Sequence, residues 1–259
     1  MLSKRGQVTL FIIIAIVLVA AVLFYLLILP KITKPAISTE EAQKLLAAQV
    51  EPIKKYVTDC VEKTFKKCVI LIGYQGGYYN PIRKIQAGNY SVPYLVYKEG
   101  NAWVNNLPLL ATIGRNIDEC TMANVQEIET CLDDFKEFKK IIDIEEEELT
   151  FATSSIQEYS ITVDVNYPLL LKRSGAETSV DKMPFSFSAC LGQAYKTATE
   201  IINSEVSTQN FNIDTYTRQN PMYIYIARQG LPEGIFYYLE TIPPTTGIDV
   251  CNFHFGIKR

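Results

Sequence analysis

The chain has one histidine, His254, and one tryptophan, Trp103, in 259 residues. A metal centre built on imidazole would have a single such ligand, and any serine or cysteine nucleophile would have only His254 as its base. Phe253 and Phe255 flank that histidine with strand-like alternation, which predicts an outward-pointing strand residue. No Cys-x-x-Cys pair occurs among the six cysteines, so zinc-ribbon and thioredoxin chemistry are not indicated. Neither sign of charge dominates: 25 basic against 28 acidic residues leave a net charge of −3 and no general field for nucleic acid. The acids are too many and too scattered to single out a catalytic pair. The only adjacent glycines, Gly76 and Gly77, follow a predicted helix instead of preceding one, the wrong side for cradling a phosphate. The chain is therefore not read as an enzyme, and no cofactor or metal is implied.

Another absence is local. From Val8 to Leu29 no residue carries a charge, and as a helix this run would be about 33 Å long, enough for a hydrocarbon core of about 30 Å. It is longer than a secretory h-region and ends in Ile28, Leu29 and Pro30 without a small-residue cleavage site. Residues 1–7 then read as a cytoplasmic N-terminus, 8–29 as a transmembrane helix and 30–38 as a stalk with Pro30 and Pro35. All six cysteines lie beyond the run, which favours an extracytoplasmic, disulfide-stabilised domain over 39–259. A sequon at Asn89 is compatible with that side of the membrane.

The segment Lys4-Arg5-Gly6-Gln7-Val8-Thr9-Leu10 with the apolar run behind it resembles the class III signal peptide of archaeal type IV pilin-like proteins and archaellins. The resemblance implies cleavage between Gly6 and Gln7 on the cytoplasmic side, with the stem retained. Many such stems carry Glu at the fifth mature position, where this chain has Phe11. Gly73 to Tyr78, with Gln-Gly-Gly-Tyr at its end, loosely resembles a set of membrane-anchored archaeal proteins without assigned activity.

Ser38 and Glu41 stand at capping-box spacing, predicting a helix from there to about Ile72, kinked or restarted at Pro52 and stopped by Gly73. A second helix is expected near Thr121 to Lys140 and a third near Ser188 to Val206. Packed antiparallel, the first two helices pair positions whose numbers add to a near-constant. Cys60 with Cys131 and Cys68 with Cys120 satisfy this, leaving Cys190 for Cys251. Cys60 and Cys68, about 12 Å apart along one helix, are too distant to bond each other.

Between the helices, the loop Gln75, Gly76, Gly77, Tyr78, Tyr79 reads as a turn or, with its tyrosines, as a contact loop. Tyr94–Tyr97 and Ala102–Val104 form a hairpin, and the acidic run Asp143–Glu148 reads as a solvated linker. Ile161 to Tyr167 alternates as a strand that Pro168 ends, Lys172–Asp181 reads as a turn region, and strands follow at Met222–Ala227 and Ile235–Ile242. The expectation is an α+β fold of about three helices on a mostly antiparallel sheet, helical over about 39–145 and sheet-rich over about 146–259. The favoured function is a single-pass membrane-anchored cell-surface protein with a binding or envelope-structural ectodomain. Its partners would be the lipid bilayer and other envelope proteins or copies of itself, not nucleic acid. A pilin-like filament subunit and an extracytoplasmic carboxylate-dependent hydrolase are the alternatives.

Overall fold

A computed structural model describes residues 16–19, 22–23, 38–87, 90–208, 210–220, 224–241 and 251–258. The Gly6–Gln7 position, most of the apolar run, residues 30–37 of the stalk and Asn89 lie outside the described residues. Residues 16–19 and 22–23 are helical and exposed. Among the described residues no helix is long and apolar enough to cross a membrane.

Helix α1 runs without a break over Thr39–Tyr74. Ser38 starts it as the spacing predicts: its Oγ accepts from the Glu41 N–H and the Glu41 carboxylate accepts from the Ser38 N–H, both at 3.2 Å. Pro52 does not restart it: the helix continues through the proline. The carbonyl that loses its donor belongs to Ala48, and Ala48 and Pro52 are both exposed, so water can satisfy that carbonyl. Ile53, Val57, Cys60, Val61, Phe65, Cys68, Val69 and Ile72 form one buried stripe. Gly73 does not stop the helix either. A Cβ there would stand 2.2 Å from the Asn252 carbonyl oxygen, so the glycine is where a strand crosses the helix.

Beyond α1, strands β1 (Lys84–Ala87), β2 (Tyr90–Glu99) and β3 (Ala102–Asn105) precede α2 (Leu110–Ala123) and α3 (Val125–Leu132). The second predicted helix, near Thr121 to Lys140, is thus divided: it covers the end of α2, all of α3 and a further short helix, and α2 itself starts earlier, at Leu110. Asp133, Asp134 and Phe135 take positive φ of 44°, 51° and 52° in a 3-10 turn, ending α3 before the four-residue α4 (Lys136–Lys139). Asp tolerates that region; Phe135 is held in it by a ring fully buried against Tyr56, Phe138 and Tyr167.

The acidic run is not a linker. Asp143–Glu146 is β4, with Ile144 buried and Glu145 paired to Lys172 at 2.6 Å. β4 joins β5 (Thr150–Ile156), β7 (Ala176–Lys182) and β8 (Phe185–Ser188) around the 14-residue β6 (Ser160–Arg173), forming one five-stranded sheet. Pro168 does not end β6: the β6–β7 register shifts between Asn166 and Leu169, and that bulge absorbs the missing donor. Of the predicted turn region only Ser174 and Gly175, with φ of 48° and 80°, actually turn.

The third predicted helix is α5 (Leu191–Thr208), followed by α6 (Ile213–Gln219) and strands β9 (Ile224–Leu231), β10 (Gly234–Thr241) and β11 (Cys251–Lys258). A second sheet has the order β1-β2-β11-β10-β9, with β3 also on β2. Among the described residues the β2–β11 pairing is parallel and every other ladder is antiparallel. The chain is α+β, with six α-helices from Thr39 on among the described residues instead of three and two sheets instead of one. Because β2 pairs with β11 from the far end of the chain and carries β1 and β3 into that sheet, the division near residue 145 describes composition and not the sheets.

One core cluster takes side chains from both sheets and from α1, α2, α3 and α5. Disulfides join Cys60 to Cys131, Cys68 to Cys120 and Cys190 to Cys251, with Cα–Cα distances of 5.7, 5.8 and 5.6 Å. These are the pairs that antiparallel register selects. Inside, Asp118 of α2 accepts from the Thr153 N–H and hydroxyl of β5 at 2.9 and 2.7 Å, and Gly114 one turn earlier lets β5 approach. Glu205 of α5, 1% exposed, accepts from the Tyr237 hydroxyl at 2.6 Å and the Phe211 N–H at 3.1 Å, with Arg228 at 3.4 Å.

The loops closed by the α1 bridges span 71 and 52 residues, so each constrains the unfolded chain strongly. Replacing Cys68 and Cys120 together by alanine is expected to lower unfolding free energy by roughly 2 to 5 kcal/mol in urea titrations of the full chain. A loss below about 0.5 kcal/mol would show that α1 and α2 are held together by packing alone.

Candidate functional site

The loop that follows α1 divides into a buried and a lining part. The Gln75 N–H closes the helix on the Leu71 carbonyl at 3.1 Å. Gly76 and Gly77 have φ of 55° and 90°. A Cβ on Gly76 would meet the His254 carbonyl oxygen at 2.7 Å, and one on Gly77 would meet Pro108 at 2.8 Å. Both glycines are therefore packed turn residues and touch no open space. Tyr79 packs on the core. Tyr78 lines a cleft. Its hydroxyl donates to the Asn106 carbonyl at 2.6 Å, and burial, helped by nearby Tyr97, raises its pKa.

That cleft, about 310 Å³, is lined by Tyr78, Asn80, Pro81, Pro93, Tyr97 and Asn106. It adjoins a second of about 440 Å³ through Ile82, Arg83 and Tyr97. Both fall within the common range for small-ligand sites. The second adds Lys84, Tyr94, Lys98, Glu233 and Lys258. Its members come from β1, β2, the β9–β10 turn and the end of β11, so the parallel β2–β11 pairing assembles it. Arg83 lies over the Tyr97 ring at 4.3 Å, Lys98 over Trp103 at 4.7 Å and Lys258 over Tyr94 at 5.6 Å. Arg83 also pairs with Glu99 at 3.0 Å. The buried Tyr94 hydroxyl donates to Glu233 at 3.1 Å; burial first and that carboxylate second push its pKa up to about 12.

A larger cleft of about 490 Å³ is acidic, with Glu129, Asp134, Glu146, Glu147 and Glu148 around it. Tyr167 donates to Glu146, and burial followed by that contact raises the phenol's pKa. Lys139 stands 3.5 Å from the same carboxylate. No group of three His, Cys, Asp or Glu side chains among the described residues converges as metal ligands.

His254 does not point outward. It is 5% exposed and sits among the rings of Tyr238 at 4.6 Å, Tyr74 at 4.9 Å and Phe236 at 5.7 Å. Alternation correctly separates it from Phe253 and Phe255, but both faces of β11 are covered, so alternation does not mean exposure. Burial lowers its pKa to about 4. The cationic cleft was missed in the sequence because its lysines are scattered over positions 84, 98 and 258; only the Arg83-Lys84 pair gave a local signal.

No known protein family, curated protein or solved structure matches this chain. Its one histidine nevertheless yields a direct test. The unfolded chain takes up a proton near pH 6.5, while the fold resists it until about pH 4. Stability is therefore full above pH 6.5 and falls as pH drops towards 4, by on the order of 2 to 3 kcal/mol. Urea titrations at pH 7.5 and 4.5 should show that loss, and His254→Phe should shrink it by most of that amount; an unchanged slope in the variant would assign the pH dependence to other groups.

Proposed function

We propose that this is a single-pass membrane-anchored cell-surface protein whose folded domain is an extracytoplasmic binding module. The observation that carries the reading is the relation between α1 and the cationic cleft. Thr39 lies ten residues past the end of the apolar run, and the 36-residue helix is about 54 Å long. Tyr78 and Arg83 follow directly on its far end. A chain anchored at its N-terminus would thus carry the cleft away from the bilayer, at the end available to envelope partners. Three disulfides and the absence of any free cysteine among the described residues support an oxidising compartment.

The filament reading draws on the Lys4–Leu10 segment alone. Pro30 and Pro35 weigh against it, because proline disfavours the continuous helix through which a pilin-like stem would hold its head. Phe11 weighs the same way, since it cannot neutralise a neighbouring subunit's amino terminus in an apolar bundle.

Protease added to intact cells should remove the domain after Pro30 and leave the apolar segment in the membrane fraction. Complete protection until lysis would reverse the orientation. Recovery of the chain in long sheared filaments starting at Gln7 would replace the tether by the filament.

A further inference from the structure

The distribution of ion pairs sets one patch of the surface apart. Among the described residues ten lysines lie within 4.0 Å of a carboxylate: Lys44, Lys54, Lys55, Lys66, Lys67, Lys136, Lys139, Lys140, Lys172 and Lys196. Of the five described lysines without such a partner, Lys63 and Lys182 lie in two other, separate clefts, whereas Lys84, Lys98 and Lys258 line one cleft with Arg83. Three unpaired lysines, beside an Arg83 already paired with Glu99, face a single lining carboxylate there, Glu233, in a chain whose net charge is −3. Like charges repel, so gathering them works against stability unless something else benefits.

Two of the unpaired ammonium groups are held by ring faces, Lys98 by Trp103 and Lys258 by Tyr94. A ring orders the long side chain but takes up little of the ammonium's hydrogen-bonding capacity, so the donors stay free for an outside acceptor and less freedom is lost when one arrives. The rings themselves are occupied. Tyr94 is 4% exposed and Tyr97 lies under Arg83, so nucleobases would find no stacking platform. Apart from these rings and the exposed Ile82, the cationic cleft offers no apolar pocket for a peptide anchor. The adjoining cleft adds the polar Asn80 and Asn106. Such a groove suits an extended chain that carries an anion and hydroxyls on successive units.

We infer that the joined clefts bind an acidic polysaccharide, a linear glycan bearing carboxylate or sulfate groups, with Lys84, Lys98 and Lys258 as its charge contacts. The choice of an envelope glycan rests on the extracytoplasmic reading above. The binding chemistry does not, and is measured on purified protein.

The lone tryptophan reports on the site, because a ligand that draws Lys98 off Trp103 changes its emission. The full chain in detergent would be titrated at low salt with polygalacturonate and with dextran sulfate. Neutral dextran, single-stranded DNA, polyglutamate and anionic phospholipid vesicles serve as comparisons, and cosedimentation scores any binding that leaves Trp103 unchanged. Saturable binding of at least one acidic polysaccharide is expected, weakened by added salt and by about tenfold or more in the Lys84→Glu, Lys258→Glu double variant. Both residues are exposed, and an unaltered melting temperature confirms that the variant folds. Absence of saturable binding, equal binding of neutral dextran, or an unaffected double variant overturns the inference. Tighter binding of the oligonucleotide, polyglutamate or vesicles than of either polysaccharide overturns it in favour of that class. Protection of the domain from protease in intact cells would refute the location and leave these measurements standing.

Discussion

The buried stripe of α1 is the constraint on which the rest of the structure depends. Most of a helix's stability in a folded protein comes from packing its amphipathic face, and this 36-residue helix is fixed by what it buries. It packs on β6 and β7 of one sheet, on β11 of the other, and on α2 and α3. Each fully buried Ile, Val or Phe along the stripe contributes roughly 1.5 to 3 kcal/mol by area, an upper bound given compact unfolded chains. Two cysteines on the same stripe tie it to α2 and α3, about 12 Å apart along its axis, which fixes both the rotation and the register of the contact. Gly73 shows how closely the parts approach, since a methyl group there would collide with the β11 backbone.

Buried polar groups then set the positions that apolar packing leaves loose. Asp118 fastens α2 to β5 through both donors of Thr153; burial raises its pKa, opposed by those bonds. Glu205 does the same between α5, the Phe211 segment and β10, with Arg228 as its counter-charge. Removing one member of such a group strands the others without water, which costs more than the net gain of forming the group. His254 is a buried titratable group of another kind, kept neutral by its burial.

The α1 stripe, its capping box and the disulfide register were legible because each depends on local spacing along the chain. Ser38 and Glu41 interact across one turn, and Cys60 and Cys68 lie on the same face wherever that face goes. What was not legible depended on distant partners. Asp143–Glu146 looks like a solvated run until β6 supplies Leu169–Lys172 opposite it. Pro168 looks like a strand end until a bulge accommodates it. The exposure of His254 turned on Tyr74, Phe236 and Tyr238, which alternation within β11 cannot see. The Gly76-Gly77 loop drew notice for its glycines, yet these are packed, and the cleft beside it is built by cations that the parallel β2–β11 pairing brings together.

If α1 holds both sheets, they cannot open separately. Native-state hydrogen exchange across a denaturant series resolves this most directly. The amides of 53–72 in α1, of β6 in one sheet and of β10 in the other should converge on the same opening free energy and the same denaturant dependence. Two well-separated values, one for each sheet, with α1 following only one of them, would contradict the account.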